Sequence, residues 1–399
     1  MTSINLAKAR RATLADRWVS FNSRPVEITF LYLLTRLSRM LRVPGIGIIV
    51  SDARIMRAIL MDGEHFSKTA EGGTSDLWDP VLEGPGLLNM SGPTHLDLKR
   101  KLAPLFNAKY LEDAIGEAVT GETQRLRARL LSGEPVDIVR SIEVTAARVI
   151  CTLSGYDLEN TEESEVLKQL ENARGLLRFV KLGTKKLSEE HAALGRSELS
   201  QLHAKIHEAY DADRQGTIPH ALKGFGLSKR ETTAVITALV IAGTETVLSH
   251  LPRFTALLIR SDYLDSLKPD QDFSEVIEEG LRVTVPTPVM LRGIEKSTVV
   301  EGRKVVPGDR MMLVTTLACA RLGDFNPTRQ MPKEYRHLWF GAGVHMCIGL
   351  PLATLEIQKY LEMLVEVNQQ KKLSLTKSRI RRGHLTAGYR ELVIACKPS

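Results

Sequence analysis

Cys347 offers the most chemistry in this chain, and it stands in the run Phe340-Gly341-Ala342-Gly343-Val344-His345-Met346-Cys347-Ile348-Gly349. Two glycines come before it and one just after, so the backbone there can turn tightly and a flat ligand can approach without meeting Cβ atoms. Leu350-Pro351-Leu352-Ala353-Thr354-Leu355-Glu356-Ile357 then reads as the opening of a helix. Pro351 is tolerated early because N–H groups there have no intrahelical partner. Cys347 is thus expected where a helix begins, where free N–H groups and the positive end of the dipole favour the thiolate that ligates metal. The plainer reading, a small buried apolar side chain, leaves the glycines and His345 unexplained. A four-ligand zinc site fails because only His337 and His345 lie near Cys347 in sequence. A dinucleotide loop fails because Gly341-Ala342-Gly343 has no third glycine three residues on.

A second group is Ala242-Gly243-Thr244-Glu245-Thr246. Gly243 removes bulk where a ligand could press, and a threonine hydroxyl can bond back one turn and bend or open the helical ladder. Glu245 and Thr246 then set an acid beside a hydroxyl, a pair able to pass protons. The plainer reading is a small-residue face packed on a neighbouring helix. His95 and Lys99 are four apart and share a helical face, which in isolation is an ordinary solvated basic face. Glu279 and Arg282 can pair at i, i+3. Arg292, six residues after Pro286, carries a guanidinium suited to a carboxylate, or else to a solvated strand end.

These residues need a large scaffold, and 399 residues at 43% hydrophobic composition supply one. No linker, low-complexity run or internal repeat divides the chain, so one unit spanning 1–399 is expected. Cys151, Cys319, Cys347 and Cys396 are scattered and suggest a reducing compartment, hence the cytoplasm. The first nineteen residues lack an apolar core and do not read as a secretory signal, and Phe30 to Leu34 is too short and too closely followed by arginines to span a bilayer. The net charge of +7 reads as solubility or as a docking face for an acidic redox partner; without an aromatic-interleaved basic motif it does not read as nucleic-acid binding.

The positioning elements are mostly helical. Residues 26–42 read as an amphipathic helix, 46–50 as a buried strand and 53–60 as helix. Residues 67–90, broken by Gly72, Gly73, Pro80, Gly84, Pro85 and Gly86, read as a loop long enough to be functional or mobile. A helix opens behind Gly92-Pro93, and 111–222 is mainly helical. Ser228 and Glu231 form a capping box before an apolar run from Ala234 to Ala242. Residues 274–282 read as helix, Pro286 and Pro288 extend 285–289, and 299–306 with 311–316 give hairpin-like strands. The expected class is mainly α with a small β region.

The run Phe-Gly-x-Gly-x-His-x-Cys-x-Gly resembles the haem-binding loop of the cytochrome P450 family, with all six fixed positions present. The run Ala242 to Thr246 resembles that family's Ala-Gly-x-(Asp/Glu)-Thr signature, and Glu279, Arg282 and Arg292 follow in the family's order. The resemblance implies the cytochrome P450 fold, with haem b between a long distal helix and the cysteine loop. Cys347 is then the iron ligand. His95, Lys99, Arg292 and His345 serve the propionates, while Phe340, Gly341, Ala242 and Gly243 lie around the ring. Thr246 and Glu245 are then the catalytic pair. Glu279 and Arg282 brace the cysteine loop. The implied reaction is monooxygenation of a small apolar organic substrate by a cytoplasmic monomer. Electrons are expected from a separate ferredoxin and reductase, since the chain carries no flavin or iron–sulfur motif. Leu239, Ala242, Val285, Val289, residues 67–90 and Leu385-Thr386-Ala387 are the expected walls. A haem-thiolate sensor without oxygen chemistry and a peroxide-driven member of the same fold are the alternatives. Two departures stand out: Lys99 where the family usually has Arg, and a shortened stretch from Ala320 to Pro327.

Overall fold

A computed structural model describes residues 5–156 and 162–397. α1 (Leu6–Ser23) and α2 (Pro25–Leu37) precede a hairpin of β1 (Met40–Val43) and β2 (Gly47–Val50). α3 (Ala53–Met61) is capped by Asp52, whose carboxylate accepts from the N–H groups of Arg54 and Ile55. β3 (Phe66–Ser67), α4 (Ser75–Leu82) and α5 (Gly92–Leu102) follow. The helical block comprises α6 (Ala108–Leu131), α7 (Ile138–Ser154) after the short β4 (Val136–Asp137), α8 (Glu163–Gly175), α9 (Glu189–Glu198), α10 (Ser200–Asp211) and α11 (Ile218–Gly224).

The central element is α12 (Lys229–Arg260), 32 residues and so about 48 Å long. Its capping box forms as expected, with Ser228 receiving the Glu231 N–H and the Glu231 carboxylate receiving that of Ser228. By length and composition α12 could cross a bilayer, but most of its apolar window is buried within the protein, as for a core helix. After it come α13 (Ser274–Val283), β5 (Met290–Ile294), β6 (Thr298–Val300), β7 (Arg303–Val305), β8 (Arg310–Leu313), α14 (Thr315–Ala320), α15 (Leu350–Gln370), β9 (Leu373–Ile380) and β10 (Tyr389–Cys396). The larger sheet runs β1-β2-β8-β5-β3, with β2 and β8 parallel and the remaining pairs antiparallel. β4, β10 and β9 make a second sheet, and β6 pairs with β7. One continuous apolar core runs from Ala12 to Ile394. The class is mainly α with a small β region, as read from the sequence.

Four local expectations are corrected. The helix expected over 26–42 stops at Leu37, and Met40 to Val43 pair with β2, where sheet hydrogen bonds override helical periodicity. The stretch 67–90 is not all loop: α4 forms inside it with Pro80 in its body. The second hairpin-like strand ends at Leu313, and Thr315 starts α14. α1 was not anticipated, because its inward residues include Thr13, Asp16 and Ser20, and no apolar period shows. It is held by Arg253 of α12, which donates to Asp16 at 2.8 and 2.7 Å and to Ser20 at 3.0 Å.

Glu279 and Arg282 form a fully buried ion pair at 2.7 and 2.6 Å. Arg282 also donates to the carbonyls of Cys319 (2.8 Å), Gly323 (3.1 Å) and Asp324 (3.3 Å), while Glu279 accepts the Asn326 N–H at 2.8 Å. The pair thus braces the stretch 319–326, one step before the cysteine loop. Removing one member leaves a buried charge. Arg282→Ala is therefore expected to lower unfolding stability by about 3–5 kcal/mol. Arg282→Lys should recover little of this, because an ammonium cannot span these acceptors. Denaturant unfolding of the three proteins checks it, and a Lys variant as stable as wild type would refute the planar-fork role.

Candidate functional site

The cysteine loop is a close-packed turn. Phe340 ends a 3₁₀ turn, Gly341 (φ 78°) and Gly343 (φ 66°) reverse the chain, and the Cys347 N–H donates to the Phe340 carbonyl at 2.9 Å. A Cβ on Gly343 would stand 2.7 Å from the Leu60 carbonyl, so only glycine lets the loop rest on the end of α3. The Cys347 sulfur receives the N–H groups of Gly349 and Leu350 as α15 opens. Burial nevertheless pushes the thiol pKa up, outweighing those N–H groups, Lys68 and Lys99. The N–H groups at the helix start favour the thiolate as expected, but burial exceeds their effect. Cys347 is exposed by area yet ringed by protein, which places it on the wall of an internal hollow.

Around it lies a basic shell. His95, buried on α5, meets His345 with Nε2 to Nδ1 at 3.2 Å and ring centroids 4.2 Å apart, and His345 Nε2 lies 3.3 Å from Ser91 Oγ. Nδ1 of His95 has no partner among the described residues. Arg292 is 4% exposed, and its recorded hydrogen bond goes to its neighbour's carbonyl, Leu291, at 2.7 Å. Lys68 belongs to the same shell; it follows β3 directly, and its Nζ donates to the Leu87 carbonyl at 2.7 Å. Nothing in the sequence marked Lys68, which has no periodic partner and sits in a stretch that reads as loop. Lys99 departs from expectation: Nζ donates to the carbonyls of Val344 (2.8 Å) and Met346 (2.6 Å). Those two acceptors take two of the three ammonium donors, so Lys99 ties the loop down.

Among the described residues Lys68, Lys99 and Arg292 form no ion pair, and desolvation dominates their titration. Burial pulls Lys68 down to about 7, helped by repulsion from Arg292 and Lys99, and it pulls Arg292 to about 10. His95 falls to about 4 and His345 to about 2, first through burial and then through these neighbouring cations. Both imidazoles are therefore neutral near pH 7. A cluster of desolvated cations without a counter-charge is costly, and it suits a ligand that brings carboxylates.

On the opposite side α12 is buried along most of its length, but Leu239, Ala242, Gly243, Thr246 and Val247 remain partly exposed, at helical spacing on one stripe. The chain at Gly84 and Gly86 presses on the turn before it, where Cβ atoms would meet Ala234 at 2.8 Å and Ala238 at 2.9 Å. Thr246 Oγ donates to the carbonyls of Ala242 (3.1 Å) and Gly243 (3.3 Å). The expected opening of the ladder is absent, since α12 is continuous through this point.

Glu245 does not stand beside Thr246. Successive helical residues do not face each other, and Glu245 is buried on another side of α12. It accepts from Arg174 at 2.7 Å and from Arg381 and Thr386. Burial would raise its pKa, but Arg381 and Arg174 outweigh this and hold it below the ordinary carboxylate range. The wall assignments also narrow. Val285 is buried in the main core, Val289 packs in a satellite cluster with Leu31 and Ile49, and Thr386 is taken by Glu245. Leu239 and Ala242 keep their place on the accessible stripe.

The family model "Cytochrome P450" matches residues 273–377, the span from α13 through the cysteine loop into β9. Mycinamicin IV hydroxylase/epoxidase of Micromonospora griseorubida is 24% identical over 360 residues, covering 85% of this chain and 87% of that protein. Steroid C26-monooxygenase of Mycolicibacterium smegmatis is 28% identical over 291 residues, covering 70% and 71%. The chain is thus similar to the cytochrome P450 family, by sequence along most of its length and by fold. Solved P450 structures share the fold. P450BioI, crystallised with a hexadec-9Z-enoic acid ligated acyl carrier protein, superposes with TM-score 0.79 at 21% identity over 95% of this chain and 99% of that one. CYP109E1 from Bacillus megaterium, in complex with testosterone, gives TM-score 0.76 at 18% identity over 95% and 100%. The names of these relatives point to the monooxygenase class.

The family that the chain resembles implies haem, and the residues here fit it. An accessible sulfur fits an axial ligand, and the uncompensated shell of Lys68, Arg292 and the free Nδ1 of His95 fits two propionates.

Two outcomes follow for this shell and for Glu245. Haem transfer to an acceptor globin should be faster from Lys68→Met by about tenfold, the size of one lost charge-assisted contact; an unchanged rate would remove Lys68 from the shell. The depressed Glu245 pKa adds stability above the ordinary carboxylate value of about 4.5, and that contribution is lost as pH falls through the folded value. Melting temperature between pH 5 and pH 3 should accordingly fall less steeply in Glu245→Gln than in wild type.

Proposed function

We propose that this protein binds haem b and inserts one oxygen atom from dioxygen into a small apolar organic substrate, as a cytoplasmic monomer formed by the whole chain. The observation that carries this reading is the pairing of an accessible Cys347 with cations that form no ion pair among the described residues and with a partly exposed stripe carrying Thr246 on an otherwise buried helix. When bound, a thiolate-ligated haem supplies binding and reductive activation of dioxygen. Cys347 holds it by sulfur, Arg292 and Lys68 neutralise its carboxylates, and Lys99 fixes the loop that presents the sulfur. Thr246, whose proton goes to the Ala242 carbonyl, keeps its oxygen lone pairs for a water in the hollow and so orients a proton donor. Glu245 joins that relay only when Arg174 or Arg381 releases it. Leu239 and Ala242 line the apolar approach. The four free cysteines agree with a reducing compartment. The names of the relatives, a mycinamicin IV hydroxylase/epoxidase and a steroid C26-monooxygenase, support an organic substrate. The basic surface suits an acidic ferredoxin as electron donor.

The locked state of Glu245 favours a second reading, a peroxide-driven P450 that needs no proton relay from it. Turnover with surrogate ferredoxin and reductase, against turnover with hydrogen peroxide alone, separates the two.

Cys347→Ser should abolish the strongly red-shifted Soret band of the reduced, carbon-monoxide-bound protein; a retained band would sink the assignment. Thr246→Ala should keep that band while losing product formation by about a hundredfold. Most of the electrons should then appear as hydrogen peroxide, and a coupled Thr246→Ala enzyme would remove Thr246 from the relay.

A further inference from the structure

Arg310, the first residue of β8, is 6% exposed and enters no ion pair among the described residues. Its Nη1 donates to the Thr184 carbonyl at 2.6 Å, and burial draws its pKa below the ordinary arginine value, with Asp76 acting the other way. Neither Nε nor Nη2 has a hydrogen-bond partner among the described residues. Those two nitrogens form the edge of a guanidinium that meets a carboxylate side-on through two parallel N–H···O bonds. The chain uses that edge three times elsewhere: Nε and Nη2 hold Asp16 in Arg253, Glu279 in Arg282 and Glu134 in Arg129.

Arg310 lines a cavity of about 550 Å³, with Val43, Pro44 and Ile46 of the β1–β2 turn as an apolar wall and the exposed Lys185 and Lys186 at its rim. Among the described residues neither lysine is paired. Gly47 and Gly72 close in on Arg310: a Cβ on the first would stand 2.6 Å from the Arg310 carbonyl, and on the second 2.9 Å from its Cβ. Of the acids facing the cavity, Asp309 is taken by Arg42, Asp76 accepts the Gly72 N–H at 2.7 Å, and Glu71 lies beside Gly308. Arg310 pairs with Gly293 across β8 and β5, and Met311 pairs with Arg292. Neighbouring strand positions face opposite sides of a sheet, so this cavity is separate from the shell around Cys347.

We propose that the cavity binds an amphipathic monocarboxylate, with its carboxylate on the Nε, Nη2 edge of Arg310 and its apolar part along Val43, Pro44 and Ile46. A desolvated guanidinium without a counter-charge is costly, and one carboxylate neutralises it. A phosphate dianion fits less well, because Asp76 and Glu71 repel a second negative charge. The ligand would join β8 and the β1–β2 turn to the stretch 184–187, which Thr184 already ties to Arg310 and the Leu187 N–H ties to the Asp76 carbonyl at 3.2 Å. The cavity and its arginine stand whether or not the haem reading holds.

Isothermal titration of the haem-loaded full chain with octanoate tests this, with octanol, octylamine and inorganic phosphate as controls. Octanoate should bind, and each control should bind about tenfold more weakly or not at all. Arg310→Gln should weaken octanoate binding about tenfold or more, and Arg310→Lys should recover little of it, because an ammonium has no planar edge. Ile46→Asp leaves Arg310 in place and sets a like charge on a half-buried turn, so it should also weaken binding several-fold and serves where an Arg310 variant does not fold. The reduced carbon-monoxide spectrum reports folding, and the ferric Soret band reports any octanoate that reaches the iron. Heat lost in Arg310→Gln while the Soret band responds as in wild type assigns the binding to Arg310. No octanoate binding to wild type would overturn the proposal, as would equal affinity in Arg310→Gln and Ile46→Asp, or inorganic phosphate bound as tightly as octanoate.

Discussion

Positive charge held out of water without a protein counter-charge governs the site. Lys68 and Arg292 are desolvated strongly enough to depress their pKa values, and the neighbouring imidazoles are kept neutral first by their own burial and then by these cations. Proteins rarely leave such groups unpaired, because each unneutralised ion costs several kcal/mol. The shell therefore stores a preference for a dianionic group at a fixed place beside Cys347, and binding such a group returns stability to the chain.

Elsewhere the molecule buries arginines differently. Arg253 with Asp16, Arg282 with Glu279, and Arg174 with Glu143 and Glu245 are closed by carboxylates and main-chain carbonyls. Each of these ties segments distant in sequence to α12 or to the approach of the cysteine loop. The contrast separates the two groups: Arg253, Arg282 and Arg174 are paired and fix the frame, whereas Lys68 and Arg292 form no ion pair among the described residues.

Glu245 stands between the two categories. It lies on the helix that lines the hollow, yet it is held like a scaffold residue by two arginines. One helical position separates it from Thr246, and that step of about 100° sends the two side chains into different surroundings. A relay through Glu245 therefore requires motion of Arg174 or Arg381, whereas Thr246 is in place without it.

Much of this protein was legible in its sequence wherever structure constrains residues that are adjacent along the chain. The glycines and cysteine of the loop, the capping box of α12 and the Glu279, Arg282 pair each act within a few residues, so type and spacing suffice to predict them. Tertiary structure alone decided the rest. Lys68 enters the site because β3 joins the sheet beside β5, and Lys99 was turned to the loop carbonyls by how closely α5 packs there. Glu245 was claimed by Arg174 and Arg381, which lie 71 and 136 residues away. Those contacts depend on long-range packing, which leaves no periodic or local signal in the order of the amino acids.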